Sequence, residues 1–313
     1  MLVIKYTGGL GNQMFQYALG ISLSRRFPEE KIYADLSRYH FLREHEGFVL
    51  SKYFYIEVKE PDDKYLKKIC WSKYYCSRLP IGTVKYKLPV WKLERIDEIL
   101  EKRNSEIGII TDYMSTIYNQ DVFNLNCQEL SMWHFKGNWI NPRYWEGYEE
   151  DVTKAFVFRE ELLSAEDREL LEEMQSTESV AVHIRRGDYV GQYGFDLCGE
   201  DYYARAVNEL RREIGGKEMT IYIFSDMQEI QLSFLRGVKY KIISHPNASG
   251  IDMWMMSKCR HNIIANSTFS FWSAYLNNNR KKVVIAPLYA YRRREMYRIF
   301  PVPETWSLID NLK

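Results

Sequence analysis

Short apolar runs alternate with amphipathic stretches through the second half of the chain. Five of these runs predict strands, at residues 180–184, 220–224, 240–243, 261–265 and 282–286. Between them apolar side chains recur at helical spacing, and paired glycines at 215–216 end the first of these helices. Asp252 and either Asn266 or Ser267 are expected to cap two later helices. Strands that alternate with helices at short intervals predict a doubly wound, Rossmann-like parallel sheet.

The amino-terminal pattern predicts a second sheet. A strand at 2–6 runs into the loop Thr7-Gly-Gly-Leu-Gly-Asn12, helical spacing follows over 13–27, and another strand is expected at 31–34. This order of strand, loop, helix and strand is typical of parallel sheets. Residues 41–126 are rich in lysine and tyrosine and show no such rhythm. Short helices in a lobe or insertion are expected there.

Length and composition favour a two-domain globular protein. The 313 residues suit an N-terminal lobe at 1–150 and a C-terminal lobe at 151–313. A net charge of +1 argues against nucleic acid as a partner. The five cysteines include no C-x-x-C pair, which favours reduced thiols over a zinc site or a disulfide framework. The sequence shows neither a signal peptide nor an apolar run of membrane-spanning length, so we expect a cytoplasmic protein.

Two adjacent arginines follow the run at 180–184. The segment reads Val180-Ala-Val-His-Ile-Arg-Arg-Gly-Asp-Tyr189. It places His183, Arg185, Arg186 and Asp188 at the end of a predicted parallel strand, where α/β sheets bind ligands. Two guanidinium groups suit a pyrophosphate, because each can donate two parallel charge-assisted hydrogen bonds. From this segment alone, a surface pair of arginine and aspartate is an equal alternative.

Polar clusters also end the neighbouring strands. Ser225 and Asp226 follow one run, His245 and Asp252 follow the next, and Asn266, Ser267 and Ser270 open a helix after a third. Each cluster alone fits ordinary helix capping. Together the clusters would meet at one edge of a parallel sheet, since parallel strands end on the same side. Such groups at helix starts suit the phosphates and sugar of a nucleotide.

The loop after the first strand carries Gly9, Gly11 and Asn12 at the start of a helix. Its glycines allow an anion to approach the backbone closely, and a purely structural turn is the alternative. The loop departs from the dinucleotide fingerprint because Met14 occupies the place of the third small residue. Asp35 lies near the place where such folds carry the acidic residue that binds the ribose of NAD. An NAD-dependent oxidoreductase is therefore kept as a remote alternative.

A basic run, Tyr291-Arg-Arg-Arg294, lies near the carboxyl end. It is interpreted as a solvated loop. Contact with an anionic ligand or a membrane is the alternative interpretation.

Four blocks of residues together resemble the α-1,2-fucosyltransferases of glycosyltransferase family 11. They are Gly8-Gly-Leu-Gly-Asn-Gln-Met-Phe-Gln-Tyr17, His183-Ile-Arg-Arg-Gly-Asp-Tyr189, Phe224-Ser-Asp226, and His245-Pro-Asn247 with Asn266-Ser-Thr-Phe-Ser-Phe-Trp272. Residues 40–130 are unmatched, and Ser273 stands where a glycine is expected. The resemblance implies an α/β, GT-B-like fold with two Rossmann-like lobes and the donor site in the C-terminal lobe.

The resemblance also implies a reaction: inverting transfer of fucose from GDP-β-L-fucose to the 2-hydroxyl of a galactoside. It implies that neither a metal ion nor another cofactor is needed. The chain contains no Asp-x-Asp, the usual carboxylate pair for a bridge between metal and nucleotide. The expected acceptor is a galactose-terminated oligosaccharide or a glycolipid-linked glycan, recognised by residues 40–130. Contact with the inner face of the membrane is an alternative to a purely cytoplasmic location.

Residue roles follow from the same resemblance. Arg186 is expected to contact the donor pyrophosphate, supported by His183 and by Arg185, for which pairing with Asp188 is an alternative. Gly11 and Asn12 are expected to face the fucose or its phosphate, with Gly9 beside them. The remaining donor-binding residues are Ser225, Asp226 and His245 for guanosine, and Asp252, Asn266, Ser267 and Ser270 around them.

The general base is expected to be a carboxylate, with Asp188 as first choice ahead of Asp196 and Glu200. The main alternative function is a non-catalytic sugar-nucleotide or glycan-binding protein on the same fold, because a fold alone does not determine activity.

Overall fold

The computed structural model describes residues 1–41, 45–70, 90–112, 116–185, 189, 191, 194–226, 232–235, 237–294 and 296–312. The chain forms two compact units, Met1–Val157 and Phe158–Lys313. Each unit contains a parallel sheet with helices in the connections between its strands.

In the described part of the first unit, four parallel strands form one sheet. They are β1 (Leu2–Lys5), β2 (Ile32–Asp35), β3 (Ile107–Asp112) and β4 (Met132–Gly137), in the order β2-β1-β4-β3. The helices are α1 (Leu10–Arg26), α2 (Ser37–Phe41), α3 (Leu50–Tyr53), α4 (Asp63–Ile69), α5 (Val90–Lys102) and α6 (Glu149–Ala155). Short 3-10 turns lie at Gln120–Phe123 and Pro142–Trp145.

The strands β3 and β4 differ from the prediction, because no strand was expected after 34 in this half of the chain. β4 carries His134 and Lys136 on the sheet face that it shares with Val3 of β1, so its apolar run is interrupted. Both side chains are buried and lie beside carboxylates from distant segments. These carboxylates come from segments that are distant in the sequence, so the local pattern of residues did not show that His134 and Lys136 are buried in a strand.

The described residues of the second unit place six parallel strands in one sheet. They are β5 (Ser179–Ile184), β6 (Thr220–Ser225), β7 (Lys239–Ile243), β8 (His261–Ile263), β9 (Val284–Pro287) and β12 (Ser307–Ile309), in the order β12-β9-β8-β5-β6-β7. A separate antiparallel hairpin consists of β10 (Tyr289–Arg293) and β11 (Met296–Ile299). The helices are α7 (Ala165–Ser176), α8 (Glu200–Glu213), α9 (Ser249–Lys258) and α10 (Thr268–Tyr275), with 3-10 turns at Glu160–Leu162 and Ser233–Leu235.

The predicted α/β class, with the two parallel-sheet units that a GT-B-like fold contains, is confirmed. All five strands predicted in the second unit are present, with ends shifted by at most two residues. Side chains of β5, β6, β8 and β9 form a core together with the apolar face of α8. Gly215 and Gly216 end α8 with φ of +72° and +74°, a backbone conformation that glycine adopts without strain.

Two predicted helix caps have different outcomes. α10 begins as expected, because the Ser267 hydroxyl accepts a hydrogen bond from the Phe269 amide at 3.3 Å. α9 begins at Ser249, so Asp252 lies in its first turn and the prediction that Asp252 is the cap was wrong. A carboxylate in the first turn still favours the helix through its dipole.

Within the described residues, no helix combines the length and the hydropathy that a membrane crossing requires.

Candidate functional site

The ends of β5 and β6 bring two predicted donor-binding residues together. The strands pair in parallel with Ile184 opposite Ser225, so the residues that follow them emerge at one edge of the sheet. There the Arg185 Nε lies 3.2 Å from the Asp226 Oδ2, with both side chains about one-fifth exposed, at 22% and 21%. Asp226 is thus a charge partner of Arg185. Arg186 and Asp188 lie outside the described residues.

His183 supplies a buried polar group at this edge. Its exposed fraction is 4%, and its backbone oxygen accepts a hydrogen bond from the Tyr203 hydroxyl at 3.0 Å. Among the described residues, its ring Nδ1 has no hydrogen-bond partner. Burial, together with the charge of Arg185, lowers the pKa of His183 to about 3. The ring is therefore neutral at physiological pH. Because buried polar atoms are rarely left unpaired, this nitrogen is a candidate ligand contact.

Asn266 connects three segments of the second unit through hydrogen bonds. Its amide nitrogen donates to the backbone oxygens of Phe195, at 2.9 Å, and Ala290, at 2.8 Å. Its buried Oδ1 accepts no hydrogen bond within the described part of the chain. Asn266 therefore positions the segment that follows the two arginines, and its carbonyl oxygen is a second candidate contact for a ligand.

The hydroxyl groups at the start of α10 hold the helix itself. The fully buried Ser270 hydroxyl donates to the backbone oxygens of Ala265 and Ser267, at 3.1 and 3.2 Å. Ser267 is the cap described above. Both hydroxyls are used within the protein, so an anion at this helix start would be bound through backbone N–H groups.

His245 lies between two carboxylates. Its ring Nδ1 is 2.6 Å from the Asp252 Oδ1, and its Nε2 is 2.9 Å from the Asp167 Oδ1. The hydrogen bond with Asp252 is the largest cause that raises the pKa of His245 to about 9. A direct bond from this ring to guanosine would have to replace one of these two contacts. Through His245, Asp252 of α9 is connected to Asp167 of α7. The donor-binding roles of His245 and Asp252 stay predictions.

Sequence analysis did not identify Asp167. It belongs to a capping box, in which the Ser164 hydroxyl accepts from the Asp167 amide and the Asp167 carboxylate accepts from the Ser164 amide. The Ser-x-x-Asp spacing signals the cap, but no local signal shows the contact with His245.

The raised pKa of His245 predicts how stability depends on pH. The folded-state pKa, about 9, exceeds the ordinary value of 6.5, so the protonated ring stabilises the folded state. That contribution is fully present below pH 6.5 and is lost as pH rises through about 9. We expect the difference in Tm between the wild type and His245→Gln to shrink across this interval.

Thermal unfolding followed by circular dichroism at a series of pH values measures that difference. Asp252→Asn, which removes the larger cause, should move the loss toward lower pH. A Tm difference that stays constant over the interval would show that His245 is not protonated in the fold.

The glycine loop, residues 7–12, opens α1 in the first unit. Gly8 has a φ of +73°, and a Cβ there would lie 2.4 Å from the Asn12 Nδ2. α1 begins at Leu10, three residues earlier than predicted, so Gly11 and Asn12 lie in its first turn and Gly9 is its cap residue. First-turn N–H groups have no partner within the helix, which is consistent with an anion-binding role.

Two glutamines of the same block hold this loop, and sequence analysis assigned them no role. The Gln13 side chain donates to the oxygens of Gly8 and Gly47, at 3.0 and 2.7 Å, and accepts from the Val49 amide at 2.9 Å. Gln16 donates to the Gly137 oxygen at 2.9 Å and accepts from the Thr7 amide at 3.1 Å. Both side chains are fully buried. Polar residues on the core-facing side of a helix were the signal that could have revealed them.

A buried charge cluster, formed by Asp35, Glu101, His134 and Lys136, lies on one face of the first sheet. The His134 ring contacts the Asp35 carboxylate at 3.4 Å and makes a short hydrogen bond with Glu101. The Lys136 Nζ lies 3.0 Å from the other Glu101 oxygen. Asp35 also accepts from the Ser37 amide at 2.9 Å, so its carboxylate is engaged within the protein rather than offered to a ribose.

The pKa values in this cluster indicate opposite charges. Burial works against ionisation, but hydrogen bonds between the partners outweigh it. They raise the pKa of His134 and lower the pKa values of Asp35 and Glu101. The cluster therefore contains paired charges at neutral pH.

Comparison with known proteins identifies the family. Residues 1–299 match the family described as Glycosyl transferase family 11. The chain is 28% identical over 322 residues to an Escherichia coli alpha-1,2-colitosyltransferase, covering 99% of both chains. It is 26% identical over 295 residues to the Escherichia coli O-antigen biosynthesis glycosyltransferase WbnK, covering 90% of this chain and 92% of the relative.

Among solved structures, a mutant of Arabidopsis thaliana FUT1 in complex with GDP aligns with a TM-score of 0.49 and 9% identity, covering 94% of this chain and 71% of that one. The family match spans nearly the whole sequence, and the chain belongs to glycosyltransferase family 11.

Proposed function

We propose that this glycosyltransferase transfers L-fucose from GDP-β-L-fucose to the 2-hydroxyl of a terminal galactoside, with inversion and without a metal ion. The observation that carries the proposal is the edge of the second sheet. There the Arg185–Asp226 pair adjoins the buried, neutral His183, in the segment that continues directly to Arg186. An edge with unpaired buried polar atoms that leads directly into a second arginine in the sequence suits a nucleoside diphosphate sugar.

In the proposed reaction, the acceptor 2-hydroxyl oxygen attacks the anomeric carbon of fucose. The bond from that carbon to the β-phosphate oxygen breaks, and GDP leaves with the electron pair. Arg186 would stabilise the negative charge that develops on the phosphate. Asp188 would receive the hydroxyl proton, with Asp196 and Glu200 as further candidates. The roles of Gly9, Gly11 and Asn12 toward the donor stay predictions.

A second candidate donor is a GDP-linked colitose. The Escherichia coli relative described as an alpha-1,2-colitosyltransferase shares 28% identity over nearly the whole chain. Colitose lacks the 3-hydroxyl of L-fucose, so the two donors differ by one oxygen atom. A site that hydrogen-bonds this hydroxyl would strongly reject the deoxy sugar, because its own polar groups would be left unpaired.

A donor and acceptor panel tests the proposal. The purified protein is incubated with GDP-L-fucose or GDP-L-colitose and with lactose, N-acetyllactosamine, or type 1 and type 3 disaccharides, each with and without EDTA. We expect an α-1,2-fucosylated product that EDTA does not diminish. If product forms only with GDP-L-colitose, the transferred sugar is colitose and not fucose. Donor binding without any product would favour the non-catalytic alternative, and loss of product with EDTA would contradict the metal-free step.

A further inference from the structure

The hairpin formed by β10 and β11, residues Tyr289–Ile299, displays apolar side chains on the surface. It forms a two-stranded sheet of its own rather than joining the six strands of the second unit. Met296, Tyr297 and Ile299 are exposed by 56%, 38% and 59%. Tyr297 and Ile299 lie on one face of β11 and Met296 lies on the other, so this strand exposes large apolar side chains on both of its faces.

The same hairpin concentrates positive charge. Four arginines, at positions 292, 293, 294 and 298, against one acid, Glu295, give it a net charge of +3 (four minus one), whereas the whole chain carries +1. The hairpin is therefore more basic than the protein that carries it. The Arg292 guanidinium lies over the Tyr297 ring, 5.4 Å from its centroid, so the cationic and apolar groups are interleaved.

Contacts on one side anchor this hairpin to the second unit. The Arg292 amide donates to the Gly194 oxygen at 2.7 Å, and the Tyr291 ring stacks on Phe195 with centroids 5.9 Å apart. The Asn266 amide described above holds the backbone at Ala290. These contacts hold β10 against the rest of the second unit. The exposed side chains of β11 are consequently presented on a supported element.

We propose that the hairpin docks this protein on the surface of an anionic lipid bilayer. Arginine side chains would contact lipid phosphates, while Met296, Tyr297 and Ile299 enter the boundary between headgroups and acyl chains. Interleaved basic and apolar groups are what such an interface requires. A hydroxyl-rich glycan would be recognised by aromatic faces and hydrogen-bonding groups, and it offers no partner for exposed methionine and isoleucine. Docking of this kind would not depend on which sugar the donor carries.

Co-sedimentation with vesicles tests the docking surface directly. The full-length protein is mixed with vesicles of phosphatidylcholine alone or of phosphatidylcholine with phosphatidylglycerol, at low and high salt. We expect binding to the anionic vesicles that weakens with salt. Each arginine near such a surface contributes a factor of about five, so Arg293→Gln with Arg294→Gln should weaken binding roughly 25-fold. Met296→Ser with Ile299→Ser should also weaken binding to the anionic vesicles.

Matched controls carry the same chemical changes elsewhere on the second unit. Arg211→Gln with Arg212→Gln removes two exposed charges at the end of α8, and Ile242→Ser with Leu308→Ser removes two exposed apolar side chains. Both controls should bind vesicles like the wild type. Thermal unfolding establishes that every variant is folded.

Three outcomes would overturn the proposal. They are a wild-type protein that does not bind anionic vesicles, control variants that weaken vesicle binding as much as the hairpin variants do, and hairpin variants that bind vesicles normally. If the hairpin variants instead raise the KM for a soluble galactoside while vesicle binding is unchanged, the surface serves the acceptor.

Discussion

Replacing Arg186 with alanine is expected to lower kcat about 10²- to 10³-fold while the protein remains folded. In the proposed transfer, negative charge would accumulate on the departing β-phosphate. A preorganised guanidinium that donates two hydrogen bonds stabilises that charge more in the transition state than in the bound donor. The neighbouring Arg185 already has a carboxylate partner in Asp226. We therefore assign the leaving group to Arg186, because it follows Arg185 directly in the sequence and Arg185 is paired with Asp226.

Steady-state kinetics with GDP-fucose and lactose measure the effect, and thermal unfolding shows whether each variant is folded. Arg186→Lys keeps the charge but loses the planar pair of donors, so its kcat should lie between those of the wild type and the alanine variant. Arg211→Ala, an exposed arginine of α8, is the matched control and should leave kcat unchanged. A folded Arg186→Ala enzyme with normal turnover would disprove the assignment.

Replacing Glu101 with alanine is expected to destabilise the protein by about 3–5 kcal/mol. Glu101 is completely buried and contacts both His134 and Lys136. Without it, the buried lysine has lost its carboxylate partner, and the buried histidine has lost one of its two carboxylate contacts. Removing one member of a buried charge group leaves the others uncompensated, which is why the expected loss exceeds that of an ordinary surface change.

Urea unfolding compares Glu101→Ala with Glu98→Ala, a carboxylate of the same helix that is only partly buried. The control should change the free energy of unfolding by less than about 0.5 kcal/mol. Adding Lys136→Met to Glu101→Ala should recover part of the loss, because the unpaired ammonium is then gone. Equal effects of the two glutamate substitutions would show that the charge cluster does not stabilise the fold.

The inner strands of the second unit, β5, β6, β8 and β9, could be predicted because they are buried on both faces. A strand such as Ser179–Ile184, fully buried along its length, needs apolar residues at nearly every position and therefore stands out locally. The edge at which Arg185 meets Asp226 followed from the same pattern, since parallel strands end on one side. The pattern did not show that Asp226 lies beside Arg185, a contact that only the structure shows. The role of Asp226 toward guanosine stays a prediction.

The strand Met132–Gly137 and the two buried glutamines show the opposite case. Their polar side chains resemble surface residues in the sequence, and only contacts with distant segments make their burial favourable. Gln16 reaches the backbone of Gly137, which is 121 residues further along the chain. No window of local sequence contains both partners.

By itself, the sequence determined the family blocks. It also determined five strands of the second unit and the residues that follow them, because most of these strands are buried and require apolar runs. Only the tertiary structure decided that His245 is held by Asp167, 78 residues earlier, and that His134 is paired with Glu101. The reason is physical: a buried charge is stable only beside its counter-charge, and folding brings those two groups together from segments that are far apart in sequence.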